Sequence, residues 1–168
     1  MKKAVFALVL VVIMTSLAHA SIEESKDSFK GNSSVSSQYE GGFPIPKFND
    51  FSLIYLSKKF DSNNDHEVVM TIIIDSNKYW FFSRDGVDLK IDGNITRVGN
   101  AITKNDRAGS SVLSASILTL DEDVISSISS SNSIILRAYF NNMPDITWEV
   151  PAATVQEWKK VINATKPK

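Results

Sequence analysis

The chain contains no cysteine. That excludes disulfides, thiol nucleophiles and a lipid anchor carried on a cysteine. It also makes a small eukaryotic secreted protein the weaker reading, since such proteins lean on disulfides. Histidine is nearly as scarce, at two residues. His19 falls in a leader-like segment, so any serine–histidine–aspartate mechanism has only His66 to use. Neither a G-x-S-x-G elbow nor an S-x-x-K motif is present, and "AGSSVLS" lacks the second glycine. A catalytic zinc site would have to be built mostly from carboxylates, which is unusual. Charge of one sign is also lacking: 18 basic against 19 acidic residues give a formal net charge of −1. With the lysines scattered, nucleic acid is not the expected partner. Beyond residue 20 no apolar run reaches the ~20 residues of a spanning helix.

The N-terminus is the most informative stretch that is present. Lys2 and Lys3 precede the apolar run "AVFALVLVVIMTSLA", and "AHA" at 18–20 offers the small–x–small pattern that signal peptidase cuts. Residues 1–20 are therefore expected to be a cleaved signal peptide, with Ser21 the first mature residue. Losing two lysines makes the remainder more acidic. A Lys-Lys leader without cysteines fits a bacterium, with the periplasm or medium as destination and no stable membrane insertion after cleavage. Three N-glycosylation sequons, at Asn32, Asn94 and Asn163, are read as chance in a chain rich in Asn, Ser and Thr.

Residues 21–42 are polar, rich in Ser and without a sustained period, which predicts a flexible arm. Pro44 and Pro46 of "FPIPKF" then fix an extended approach to the folded unit, and residues 43–168 are expected to form one β-rich domain. "FSLIYLS" and "EVVMTIIID" read as strands, the second apolar at both parities and hence covered on both faces. "KYWFFSR" reads as a further strand. In it Tyr79 and Phe81 point one way and Trp80 and Phe82 the other, and both pairs are expected in the core. Asp85–Gly86 is the strongest hairpin dipeptide, "VDLKID" alternates cleanly, and Gly93–Asn94 turns into "ITRVG". Strands this close together pair as antiparallel hairpins, so the region reads as a meander.

"NAITKNDRAGS" (100–110) is the longest polar interruption and is expected to be a loop. "SVLSASILTL" leads into a helix whose N-cap is Asp121, with Val124, Ile125 and Ile128 facing the core. A last hairpin precedes a C-terminal helix with an apolar stripe at Val155, Trp158 and Ile162. Its start is ambiguous between Pro151 as first helical residue and a capping box at Thr154–Glu157. Roughly eight strands and two short helices result. The expected fold class is α+β and mostly antiparallel, a meander sheet curled into a sandwich or open barrel, with one helix C-terminal.

Chemistry is sparse. "DSNNDHE" places Asp61, Asn63 and Asp65 at alternate positions, as an EF-hand loop does. His66 stands where that loop needs glycine, and Ile72 stands where it needs the bidentate glutamate. Asx residues also suit a turn, so no metal ligand is assigned. "DED" at 121–123 is explained by a helix N-terminus. No catalytic residue and no cofactor are expected. The expected function is an exported, non-catalytic binding module that recognises a protein or envelope component, an inhibitor or immunity-type protein being one version of that class. Its contact surface is placed on the loops 61–67 and 100–110, with Asp61, Asn63, Asp65, His66, Lys104 and Arg107 as contact residues. A His66-dependent hydrolase and a structural subunit that self-associates through the arm are the alternatives.

Overall fold

A computed structural model describes residues 20–27, 31–39, 43–45 and 50–167. The expected signal peptide therefore lies outside the described residues except for Ala20, and so does Pro46. Eleven strands and two helices follow in the order β1 (Ala20–Asp27), β2 (Asn32–Tyr39), β3 (Phe43–Pro44), β4 (Phe51–Phe60), β5 (His66–Ser76), β6 (Phe82–Ile91), β7 (Asn94–Val98), β8 (Ile102–Ala108), β9 (Ser111–Thr119), α1 (Glu122–Ser130), β10 (Ile134–Phe140), β11 (Ile146–Val150) and α2 (Ala152–Ile162). The larger sheet runs β1-β2-β4-β5-β9-β8, with β3 paired to β4, and the smaller runs β11-β10-β6-β7. All nine strand pairings are antiparallel. The expected class is what is observed, and the open sheets make it a sandwich and not a barrel.

The core follows from alternation. Ile54 and Leu56 of β4, Met70, Ile72 and Ile74 of β5 and Leu118 of β9 point inward. They meet Val87 and Leu89 of β6, Ile134, Leu136 and Ala138 of β10 and Trp148 of β11 in one continuous apolar cluster. The smaller sheet is too narrow to cover the larger one. Helix α2 covers the remainder, packing on β1, β2 and β4 and against α1. There Val161 meets Val35 and Phe60 in a satellite cluster. The other side of β5 is only partly covered: Val69 is buried, whereas Thr71 and Ile73 are half-exposed.

Both helices carry the apolar faces expected of them. Asp121 caps α1 by accepting the Val124 N–H at 3.0 Å, and Val124 and Ile128 are buried. In α2, Val155, Trp158 and Ile162 are buried as expected. Its start is not either of the two expected ones: Pro151 is the N-cap, and Thr154 is a buried helical residue. The ammonium of Lys58 satisfies the C-terminal end, donating to the carbonyls of Ile162 at 2.8 Å and Ala164 at 3.1 Å.

Four expectations are corrected. Of the expected arm 21–42, the described residues 21–27 and 31–39 are not an arm, because β1 and β2 are strands and β2 pairs with β4 through Ser33↔Phe60 to Gln38↔Tyr55; its other residues lie outside the described ones. Serines alternate there with the buried Val35, a pattern too polar to register as a strand by hydrophobicity. The segment 100–110 is not a loop, since 102–108 is the edge strand β8, joined to β9 by a turn at Gly109 with φ +64°. Charged side chains are what exposed edge strands carry. Asp85–Gly86 is not a hairpin turn. β6 runs through it, and the register against β10 shifts between Ala138 and Phe140, which marks a bulge. The turn expected at Gly93–Asn94 is present one residue earlier, at Asp92–Gly93, both at positive φ (45° and 94°), the pair a type I′ turn needs. Finally, the meander is broken after β5: β5 pairs with β9, and β6 crosses to the other sheet.

Candidate functional site

Two concavities lie toward opposite ends of the larger sheet. β5, at eleven residues, separates the ends by on the order of 30 Å.

The first is a hollow of about 520 Å³ lined by Ser34 and Asp27 from the β1–β2 hairpin and by Lys59, Asp61, Asp65 and His66 from the β4–β5 hairpin. The predicted loop residues Asp61, Asp65 and His66 therefore do line a cavity. Their chemistry is mostly spent on the loop itself. Oδ1 of Asp61 accepts the backbone N–H groups of Asn63 and Asp65, each at 2.9 Å, while Asn64 takes the left-handed conformation at φ 71°. This is the Asx-turn chemistry of a polar hairpin. Lys59 pairs with Glu67 at 3.5 Å across the hairpin. His66 is exposed, with its ring 6.1 Å from that of Phe60. Among the described residues its nitrogens make no hydrogen bond to a serine or carboxylate, and no group of three His, Asp or Glu side chains is placed to hold a metal ion.

The second concavity, about 580 Å³, is lined by none of the six expected contact residues. Its wall is the aromatic run. Trp80 and Phe82 are buried, packing at 5.0 and 4.7 Å on Phe140. Tyr79 and Phe81 are 39% and 44% exposed, which corrects the expectation that both pairs enter the core. The alternation is as read. What fails is the assumption of a second covering layer, because this segment lies outside β6 and nothing described packs over its outer side.

The exposed pair is held rigidly all the same. The two rings stack with centroids 5.8 Å apart and planes 12° from parallel. The carboxamide of Asn142 accepts the Phe81 N–H and donates to the Tyr79 carbonyl, both at 2.8 Å. The Asn141 N–H donates to the Phe81 carbonyl at 2.8 Å, and the Trp80 N–H donates to Ser114 Oγ at 3.1 Å. Arg107 reaches over from β8 to donate to the Tyr79 hydroxyl at 3.3 Å. The Asn142 carboxamide, together with the Asn141 N–H and Ser114 Oγ, thus takes up the backbone groups of this segment.

The bulge in β6 supplies the floor. It turns Arg84 and Asp85 outward into the groove, beside Thr103 and Asn105 of β8 and Asn141 and Asn142 of the β10–β11 loop. Gly86 allows it: φ is +92°, and a Cβ there would lie 1.7 Å from the Val98 carbonyl oxygen of β7. Such a close approach admits only glycine.

The six residues expected to share a contact surface do not do so. Asp61, Asn63, Asp65 and His66 stand at one end of the sheet and Arg107 at the other, while Lys104 projects from the middle of the edge strand. Of the six, only Arg107 belongs to the aromatic site. The hint to that site in the sequence is "YWFF" itself, and the asparagine that secures it lies more than sixty positions downstream. No protein family, curated protein or solved structure matches the chain.

Proposed function

We propose that the protein is an exported, non-catalytic binding module of the bacterial periplasm or medium that recognises a protein or envelope component. We assign its contact surface to the Tyr79–Phe81 end of the sandwich and not to the loop 61–67. The observation that carries this reading is an exposed aromatic pair immobilised by hydrogen bonds from three separate segments. Large apolar rings in water cost solvation free energy, and they are the groups that dominate recognition surfaces when displayed rigidly. Pre-organisation also removes the ordering cost that a flexible loop meets on binding.

The test is affinity capture from envelope extract with the wild type and with the double variant Tyr79→Ser/Phe81→Ser. The wild type is expected to retain a defined component, and the variant, still folded by circular dichroism, to lose it. Equal recovery by both rejects this surface.

A further inference from the structure

We infer that the groove beside Phe81 is a saccharide site, taking a neutral oligosaccharide; this rests on the binding-module reading above. A sugar ring presents an apolar C–H face and an edge of hydroxyls, so its site needs an aromatic plate beside planar groups that hydrogen-bond two adjacent oxygens at once. The groove holds both. Phe81 offers its exposed ring. Around it stand Arg84, Asp85, Asn105, Asn141 and Asn142, all exposed. These are the guanidinium, carboxylate and carboxamide groups able to serve paired donors or acceptors.

Their capacity is largely unspent. Among the described residues the side chains of Arg84, Asn105 and Asn141 make no hydrogen bond or ion pair, and the Asp85 carboxylate accepts only from the Ser83 hydroxyl, at 3.1 Å, while the Asp85 N–H donates to Ser83 Oγ at 3.2 Å. Asn142, committed to the aromatic segment, keeps one donor and one lone pair for a ligand. One cationic and one anionic side chain line the groove, which favours a neutral ligand over a polyanion. The volume of about 580 Å³ lies in the ordinary range for small-ligand sites, ~300–1,000 Å³. A peptide would want apolar side-chain pockets or would add to the edge of β8; the groove is lined chiefly by amides and charges, and the charged side chains of β8 oppose strand addition.

The test is a two-dimensional NMR titration of the whole mature protein with maltotriose, cellotriose and chitotriose at millimolar concentration. At least one is expected to give saturable shifts centred on the amides of Phe81, Arg84, Asn105 and Asn142. Phe81→Ser should weaken that binding by at least about tenfold, equivalent to ~1.4 kcal/mol, and Asn141→Ala should weaken it while leaving the ring pair in place. Saturable shifts centred elsewhere, or none with any of the three sugars, overturn the saccharide assignment. If envelope capture still depends on Tyr79 and Phe81 in that case, the module reading stands with a protein as the partner. If the wild type and the Tyr79→Ser/Phe81→Ser variant recover the same material equally, both fail.

Discussion

Single positions decide the shape of the groove. Gly86 sits where β6 bulges against β7, at a backbone angle that side chains rarely adopt and with a carbonyl in the space of its missing Cβ. Gly86→Ala is expected to destabilise the fold by ~2–4 kcal/mol, combining a strained backbone with forced separation of two strands. Urea unfolding measures it, and a loss below about 0.5 kcal/mol, the size of an ordinary surface change, would show that the bulge relaxes freely. Asp88, away from the groove, plays a comparable part on the outer face of the smaller sheet. Its carboxylate takes Arg97 at 2.6 and 3.1 Å and the Tyr139 hydroxyl, while the guanidinium lies 4.8 Å over the Tyr139 ring. The Arg97 hydrogen bond, aided by that of Tyr139 and opposed by partial burial, holds the Asp88 carboxyl below its ordinary value of 3.8. A carboxyl depressed on folding contributes stability that is complete above the unfolded value and disappears as pH falls through the folded one. Asp88→Asn should therefore be less stable than wild type at neutral pH, with the gap closing below about pH 4, as urea midpoints across that range will show. A gap independent of pH would assign the loss to packing instead. Neither position was legible beforehand: the sequence offers Asp85–Gly86 as a turn, and only the neighbouring strand shows why the glycine is needed.

At the level of elements, helices were read well and polar strands poorly. The cap at Asp121 and the stripe Val155–Trp158–Ile162 follow from local chemistry that the chain carries at fixed spacing. Strand β2 places serines on both faces, Ser33 and Ser37 being buried beside Val35, and β8 is mostly charged and polar, so neither carries an apolar alternation. Hydrophobic periodicity is silent about such strands. Trp158 tests whether α2 is as firmly docked as it is drawn. It is fully buried, so Trp158→Ala should cost ~3–5 kcal/mol. Trp158→Phe should cost much less, since the indole N–H is buried without a hydrogen-bond partner and its removal relieves a desolvation penalty. A loss below about 1 kcal/mol for the alanine variant in urea would mean that the helix is not packed on β1, β2 and β4.

For the molecule as a whole, the mostly antiparallel α+β class was legible from alternating apolar residues and short turns, whereas the choice between sandwich and barrel was not. The extent of the domain was not, since residues 21–42 lack the composition that announces a strand. The structure makes β1 and β2 one wall of the fold: β2 shields the edge of β4 and completes the seat of α2 with Val35. A chain lacking 21–42 is accordingly expected to lose several kcal/mol. Withdrawal of Val35 alone accounts for ~1.5–3 kcal/mol, and further loss follows from the uncovered edge. Differential scanning calorimetry of both lengths provides the check, and an unchanged midpoint would restore the reading of a dispensable tail. The same wall lines the hollow at Asp61 and His66, so its removal should leave the distant Phe81 groove able to bind.

Asn142 gives the Tyr79–Phe81 segment what a neighbouring strand would otherwise provide. Display of the two rings is thereby uncoupled from sheet registry. Substitutions at 79 and 81 can respecify what is offered to solvent without disturbing the alignment of any ladder beneath. Natural drift, or a deliberate redesign, could retune this end of the molecule two side chains at a time.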